Sequence, residues 1–406
     1  MKERSYYESL WRKFDREKPL VMITGPRQAG KTVLARRLAA AEPASMYLNY
    51  DVPEEKRRVV EDPAFFESVD RRKGQRPLIV LDEIHKYRDW KNYLKGLYDG
   101  YGDRFRFLVT GSGRLDLYQR RGDALAARYR LFHLFPFTMG ELFARQVRSA
   151  MPGEELFDVQ DPAPRGHRDA LTALLACGGF PEPFLKGREQ AYRRWANAYH
   201  REIVRSDVRD AFAVRDLDTM ELLYCLLAPR VGSPLSVAQL TDPLKTSHKT
   251  VASWINVFER LALVFRVRPY SRRVTRSILK EPKFYFYDCA RVKDEGKRFE
   301  NLVAVELKRA VMNWTDDGLG GFDLFYVRNR EQEEVDFLVA CDGDPLFMVE
   351  VKTGTLSVSA PVRKFQSMLH VPAVQLVKRH GTSRVFGKGR ERVLIADAAA
   401  WLSRLG

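Results

Sequence analysis

Four short apolar runs punctuate the first third of the chain, and each closes on polar residues. Val21-Met-Ile23 reads as a buried strand and gives way to a glycine-bearing loop at residues 25–32. Residues 45–50 end at Asp51, residues 77–81 at Asp82-Glu83, and residues 105–109 at Thr110-Gly-Ser112. Val33, Leu34 and Leu38 open an amphipathic helix behind the first loop. Ahead of it, residues 5–14 set Tyr7, Leu10, Trp11 and Phe14 on one helical face, a cover for the domain edge with no chemistry of its own. An α/β domain over residues 1–145 is expected.

The pattern then changes. Residues 146–168 carry prolines, glycine and mixed charge without an apolar period, as a boundary does. Gly178-Gly-Phe-Pro-Glu-Pro183 reads as a rigid turn between helical stretches, and residues 192–210 are helical in pattern. Ser236-Val-Ala-Gln239 has the form of a capping box opening a short helix. A turn through Thr241-Asp-Pro243 and residues 245–247 leads to a longer helix with Val251, Trp254, Ile255, Phe258 and Leu261 on its buried face. Residues 299–310 predict a helix with Phe299, Val303, Leu307 and Ala310 inward and Glu300 on the flank. Two strands follow, Glu334-Val-Asp-Phe-Leu-Val339 and Leu346-Phe-Met-Val-Glu-Val-Lys352, joined by Asp342-Gly-Asp-Pro345. The expected division is a nucleotide domain at 1–145, a helical linker or lid at 146–220, a winged helix at 221–285 and an α/β domain at 286–406.

Composition narrows the class. A chain of 406 residues is too long for one core. Its 69 basic and 53 acidic residues give a net charge of +16 and a pI near 9.6, which favours a polyanionic partner, nucleic acid ahead of an anionic membrane. Cys177, Cys225, Cys289 and Cys341 are scattered, which argues against a disulfide framework or a zinc site and suits a reducing cytoplasm. Residues 1–18 are charged throughout, unlike a signal peptide, and no run of about eighteen apolar residues occurs. A cytoplasmic protein without a membrane partner is expected.

The loop after the first strand carries the sharpest chemistry. Gly25, Pro26, Arg27, Gln28, Ala29, Gly30, Lys31 and Thr32 fit the phosphate-binding loop G-x-x-x-x-G-K-[ST], and with Val33 and Thr110 they form the candidate nucleotide site. The glycines allow torsions and close approaches that a side chain would block. Backbone N–H groups at the helix N-terminus face the phosphates, Lys31 reaches the β- and γ-phosphates, and Thr32 ligates Mg²⁺. Asp82 is placed in the Mg²⁺ shell, and Glu83 orients or deprotonates the attacking water. ATP and Mg²⁺ are thus the expected cofactors. Thr110, ahead of Ser112, is the candidate γ-phosphate sensor. Arg114 and Arg128 are candidates for charge supplied to a transition state, in cis or across a subunit contact.

Two further constellations bear on partners. Helix, turn, helix and basic hairpin make the plan of a winged helix, which sets its second helix in a DNA major groove. His248 and Lys249 on that helix, with Arg266, Arg268, Arg272, Arg273, Arg276 and Lys280 of the hairpin at 265–283, are the candidate nucleic-acid contacts; the same plan also serves as a packing module. In the C-terminal strands, alternation puts Glu350 and Lys352 on one side, with Asp336 across the hairpin. That is the D…E-x-K arrangement of restriction-endonuclease-like nucleases, in which Asp336 and Glu350 bind Mg²⁺, Glu300 completes the shell and Lys352 activates water. Such acids also persist as binding surfaces without cleavage.

Together these residues resemble a large prokaryotic family of AAA-type ATPases that carry a C-terminal domain of unknown function (DUF4143). The resemblance rests on residues 25–32, Leu81-Asp-Glu-Ile84 with Trp90, Thr110-Gly-Ser112, Pro136-Phe137 with Glu141, and Gly178-Gly-Phe-Pro181. It continues through Pro282-Lys-Phe-Tyr-Phe286 with Asp288, Phe299-Glu-Asn301, Glu334-Val-Asp-Phe337 and Glu350-Val-Lys352. It implies an AAA-type P-loop domain, a winged-helix middle domain and a restriction-endonuclease-like C-terminal domain. Cys289-Ala290 stands where members commonly have Gly-Leu, and Ala127 replaces a usual glycine. The expected function is a Mg²⁺-dependent ATPase that binds DNA and couples hydrolysis to its translocation or remodelling as an oligomer. Its rivals are a slow nucleotide-controlled switch acting on a protein and an ATP-regulated, metal-dependent nuclease.

Overall fold

The computed structural model describes residues 3–70, 74–111, 125, 127–144, 151–158, 163–203, 205, 208, 216–271 and 280–406. They form two compact units, one within residues 3–135 and the other within residues 136–406.

In the first unit α1 (Ser5–Glu17) buries Tyr6, Tyr7, Leu10, Trp11 and Phe14, the face expected from its spacing. Each such side chain contributes about 1.5–3 kcal/mol by leaving water. Five strands follow: β1 (Leu20–Thr24), β2 (Ser45–Asn49), β3 (Leu78–Asp82), β4 (Arg106–Thr110) and β5 (Arg130–His133). They form one sheet in the order β2-β3-β4-β1-β5, and every neighbouring pair is parallel. Parallel strands need covered crossovers, and α2 (Lys31–Ala40), α3 (Pro53–Glu61) and α4 (Trp90–Tyr101) supply them. Burial on both faces explains why β1 and β3 read as unbroken apolar runs. The register sets Asn49 beside Asp82, Asp82 beside Thr110, and Thr110 beside Ile23, all at the C-terminal edge. β4 is the additional strand between the loop-bearing β1 and the acid-bearing β3.

The second unit takes in residues from 136 and opens with α5 (Met139–Phe143), ahead of the domain change expected at residue 146. It continues with α6 (Arg165–Cys177), α7 (Pro181–Lys186), α8 (Glu189–Glu202), α9 (Leu217–Leu227), α10 (Ala238–Leu244) and α11 (His248–Arg260). α10 starts one residue later than the capping-box reading: Ser236 Oγ accepts from Ala238 N–H at 3.3 Å, and Gln239 N–H goes to the Ser236 carbonyl. α11 is capped by Ser247, whose Oγ accepts from Thr250 N–H at 3.1 Å.

An eight-stranded sheet forms the rest: β6 (Val264–Pro269), β7 (Lys283–Phe286), β8 (Phe322–Arg328), β9 (Glu334–Cys341), β10 (Asp344–Lys352), β11 (Ala373–Val377), β12 (Ser383–Phe386) and β13 (Val393–Asp397). Its order is β12-β13-β11-β10-β9-β8-β6-β7. α12 (Glu295–Asp316), α13 (Ala360–Leu369) and α14 (Ala398–Leu402) accompany it. The β6–β7 hairpin was expected to be the wing of a separate domain ending at residue 285. The hairpin forms, and β6 also pairs in parallel with β8 through Arg268–Phe325 and Pro269–Tyr326. The reason is compositional: Val264, Phe265, Val267 and Phe284 to Phe286 are buried, and an apolar hairpin needs a sheet to bury against. Among the described residues no helix is long and apolar enough to cross a membrane.

Two buried polar side chains pin this unit. Asn301 of α12 accepts from Phe286 N–H at 2.9 Å and donates to the Phe286 carbonyl at 2.7 Å, satisfying both backbone groups of one β7 residue. Glu306, one helical turn further, accepts from the N–H groups of Met139 and Gly140 at the start of α5. Burial pushes its carboxyl up to about 7, against the pull of Arg309 and those two N–H groups and with a smaller push from Glu141.

Both make predictions. Asn301→Ala leaves two buried backbone groups unsatisfied and is expected to cost about 3 kcal/mol in urea unfolding; an unchanged midpoint refutes the pin. For Glu306 the folded value lies above the unfolded one, so its stabilising contribution is complete below the ordinary glutamate value and is lost as pH rises through about 7. Glu306→Gln is therefore expected to lose less stability than the parent between pH 5.5 and 8. Equal losses would count against a buried, raised carboxyl.

Candidate functional site: a phosphate loop with a clamped aspartate

β1 hands the chain to the loop through Gly25, whose φ is +147° and whose added Cβ would lie 2.1 Å from the Leu134 carbonyl oxygen. Only glycine fits between β1 and the chain leaving β5. Gln28 and Gly30 also take positive φ, at 59° and 100°, so the loop doubles back before α2 begins at Lys31. Lys31 is buried, its Nζ 3.0 Å from the Gly25 carbonyl and 2.8 Å from that of Pro26. Its ammonium is thus held inside the loop that the backbone N–H groups line. Pro26 and Ala29 are buried, Arg27 half-buried, and Gln28 and Val33 exposed.

Asp82 closes the arrangement. It is buried at the end of β3, and three hydroxyls donate to it: Thr32 Oγ1 at 2.8 Å, Thr110 Oγ1 and the Tyr47 phenol. A hydroxyl and a carboxylate side by side are the hard oxygen donors that suit Mg²⁺ beside bound phosphates. The donor set fits the expected cofactors. Glu83 follows with φ 58°, a left-handed backbone held at a cost of order 1 kcal/mol. Burial raises its carboxyl above the ordinary value, with Lys31 and Lys86 pulling the other way. Lys86 Nζ lies 3.4 Å and His85 Nε2 3.7 Å from Glu83 Oε2.

The arginine candidates fare differently. Arg128 precedes β5 at the strands' N-terminal edge, where its Nε meets Asp99 Oδ1 at 2.9 Å. Val21 pairs with Arg130, so the phosphate loop of the same chain lies a further four residues along β1, roughly 13 Å away. A role in cis is thereby corrected. Ala127 before it keeps φ 63°, which accounts for glycine being usual there. Ser112 and Arg114 lie outside the described residues.

Two participants escaped the sequence reading. Arg4 is buried at the start of α1 and donates at 2.6 Å to the Ala29 carbonyl in the loop and at 2.6 Å to that of Phe135 after β5. Tyr47, on β2, holds Asp82, and the Arg36 guanidinium lies 4.7 Å from its ring centre. Burial and the neighbouring Asp82 raise the Tyr47 phenol, keeping it a donor. An arginine ahead of a helix and a tyrosine within a strand carry no signal of their own; only their spatial partners give them meaning.

In the second unit the nuclease-like residues do converge. Asp336 Oδ2 accepts from Val351 N–H at 2.9 Å, Glu350 Oε2 from Asp336 N–H at 3.3 Å, and Lys352 Nζ lies 2.6 Å from Glu350 Oε1. Glu300 Oε1 accepts from the Tyr285 hydroxyl at 2.7 Å. Burial first, and Asp336 second, push both Glu300 and Glu350 up to about 7. Lys283, at the start of β7, is buried among them. Burial works against its charge, but Glu300, Asp336 and Glu334 outweigh that and raise it.

The nucleic-acid candidates divide. His248 and Lys249 are exposed at the start of α11, and Arg268 and Lys280 are exposed on the hairpin. Arg266 is corrected: it is paired with Glu259 and Asn256, since a half-buried guanidinium needs acceptors. Arg272, Arg273 and Arg276 lie outside the described residues.

Family profiles match the chain in three places: an AAA domain over residues 17–143, a domain of unknown function (DUF8612) over 168–292, and a domain of unknown function (DUF4143) over 295–397. An uncharacterized protein of Mycobacterium bovis is 24% identical over 360 residues, covering 85% of this chain and 73% of its own. One of Haemophilus influenzae is 21% identical over 375 residues, 86% of each chain. Among solved structures, the Aeropyrum pernix ORC1 protein in complex with DNA overlaps with a TM-score of 0.32 at 14% identity, covering 70% of this chain and 86% of that one.

Arg4 yields the test of this site. Arg4→Ala removes the donor from two buried carbonyls and loosens the loop, so affinity for a fluorescent ATP analogue is expected to fall about tenfold. Unchanged affinity in a folded variant would remove Arg4 from the site.

Proposed function

We propose that this chain, which matches an AAA domain over residues 17–143 and a domain of unknown function (DUF4143) over 295–397, hydrolyses ATP with Mg²⁺ and uses the cycle to move or remodel DNA. The hydroxyl-clamped Asp82 beside Thr32 and Lys31 carries the hydrolytic part of this reading. Lys31 and the loop N–H groups bind the phosphates, and Thr32 and Asp82 hold the metal. Mg²⁺, when bound, neutralises charge on the phosphate oxygens. Glu83, with its raised carboxyl and its turned backbone, positions the attacking water and takes its proton. Thr110 couples the sheet edge to Asp82 and so to the phosphates.

The DNA part rests on the net charge of +16 and on α11, whose exposed His248 and Lys249 stand where a recognition helix makes its first contacts. A cleft lined by Lys280, Arg328, Asn329 and Arg330 offers a second basic surface. Arg128, outward at the opposite sheet edge, suits a neighbouring copy's site and hence an oligomer. A protein-directed switch is the second reading, favoured by the burial of the hairpin within the sheet, where a DNA wing would stand clear.

One experiment separates them. ATP turnover is measured with Mg²⁺, with and without single-stranded, duplex and branched DNA, for the parent, Lys31→Ala and His248→Ala/Lys249→Ala. Lys31→Ala is expected to lose at least about a hundredfold in turnover. The double variant is expected to lose DNA stimulation and to flatten the salt dependence of binding by about one unit per lost phosphate contact. A Lys31→Ala rate like the parent's would overturn the hydrolytic site; no response of the parent to any DNA would leave the switch.

A further inference from the structure

The eight-stranded sheet gathers four carboxylates where a nuclease of this plan would keep its metal: Glu300 from α12, Glu334 and Asp336 from β9, and Glu350 from β10. A cation reaches them from a direction that motif does not use. Lys283 opens β7 with its side chain fully buried, and its Nζ lies 2.5 Å from Glu334 Oε1, 3.5 Å from Glu300 Oε1 and 3.7 Å from Asp336 Oδ1. It also lies 5.3 Å from the centre of the Tyr326 ring. We propose that the Lys283 ammonium is a tethered cation in the electrostatic place of a divalent metal, so that this cluster binds no metal and cuts no nucleic acid but fastens the β6–β7 hairpin to the C-terminal sheet. The proposal is independent of the nucleotide site in the other unit.

Three observations carry it. The oxygens of the two principal acids already have protein donors. Asp336 Oδ2 takes the Val351 N–H and Oδ1 faces Lys283; Glu350 Oε2 takes the Asp336 N–H, and Oε1 takes Lys352 and, at 3.4 Å, the Ser359 hydroxyl. Mg²⁺ demands a near-octahedral set of oxygens at about 2.0–2.1 Å and keeps several waters, and a buried ammonium in their midst both fills the space and repels the ion. Among the described residues no group of three or more His, Cys, Asp or Glu side chains is arranged to hold a metal.

The second observation is a roof. Gly232 has φ +75°, and a Cβ on it would lie 2.6 Å from Glu300 Oε2 and 2.7 Å from Oε1. The backbone of that turn therefore sits directly on the carboxylate. Two residues on, Pro234 bridges to Lys283, and Leu235 N–H donates to the Pro282 carbonyl at 3.0 Å. A phosphodiester has no approach to Glu300 from this side. The third is strand alternation: Lys283 and Tyr285 share one face of β7, and both reach Glu300. One edge strand thus delivers a cation and a hydroxyl to the same acid, as a structural fastening does.

The test is Mn²⁺ binding to the full chain without nucleotide, followed by the electron paramagnetic resonance of free Mn²⁺. Parent, Asp336→Asn/Glu350→Gln, Lys283→Ala and the triple variant are compared. Parent and double variant are expected to bind Mn²⁺ identically. Lys283→Ala is expected to gain a site at least tenfold tighter than any in the parent, lost again in the triple variant. Parent binding that Asp336→Asn/Glu350→Gln removes would overturn the proposal, as would a folded Lys283→Ala that gains no site. Should Lys283→Ala fail to fold, parent against double variant still decides. A plasmid incubated with the parent and Mn²⁺ is expected to stay intact; cutting abolished by Asp336→Asn would also refute it.

Discussion

Parallel pairing of the first five strands is the constraint from which the nucleotide unit follows. Strands that all run one way must all end at one edge, and the register leaves Asn49, Asp82, Thr110 and Ile23 in a row there. Each apolar run therefore delivers its terminal polar residue to the place where β1 releases the phosphate loop. Asp82 then collects hydroxyls from α2, β2 and β4, so its carboxylate is positioned by three elements at once. A buried carboxylate without such partners would cost several kcal/mol. The clamp is a requirement of burial before it is an instrument of chemistry.

The second unit solves the same problem with different parts. Glu306 sits on two backbone N–H groups, Asn301 spans both polar groups of Phe286, and Lys283 stands amid carboxylates. Each is buried and each can be satisfied in one arrangement only. Apolar contacts tolerate sliding, whereas a misplaced buried donor or charge is penalised at once. These residues consequently decide which hairpin, helix and connecting segment lie together, while the apolar side chains around them supply most of the stabilisation.

Much of this was readable along the chain. The strands β1 to β4, the phosphate loop, the face of α1, the length of α11 and the Asp336–Glu350–Lys352 hairpin all follow from periodicity and turn chemistry, which are local. The pairing of β6 with β8 is not legible there, because the run at Val264 to Val267 says that a strand is buried without saying in which sheet. Arg266 reads as surface charge, and Lys283 carries no sign of burial, because a basic residue looks the same whether it faces water or a buried acid. Arg4 and Tyr47 passed unnoticed for the same reason.

What the sequence by itself determined is the set of elements and the chemistry each can bear, since helix and strand periods, glycine torsions and the loop motif act within a few residues. Only the tertiary structure decided that Arg128 faces away from its own loop, that Arg4 braces it, that β6 joins β8, and that a lysine lies within the acidic cluster. Those outcomes depend on pairings between residues tens to more than a hundred positions apart. Charge neutralisation and hydrogen-bond satisfaction select such pairings in space, where order along the chain carries no record of them.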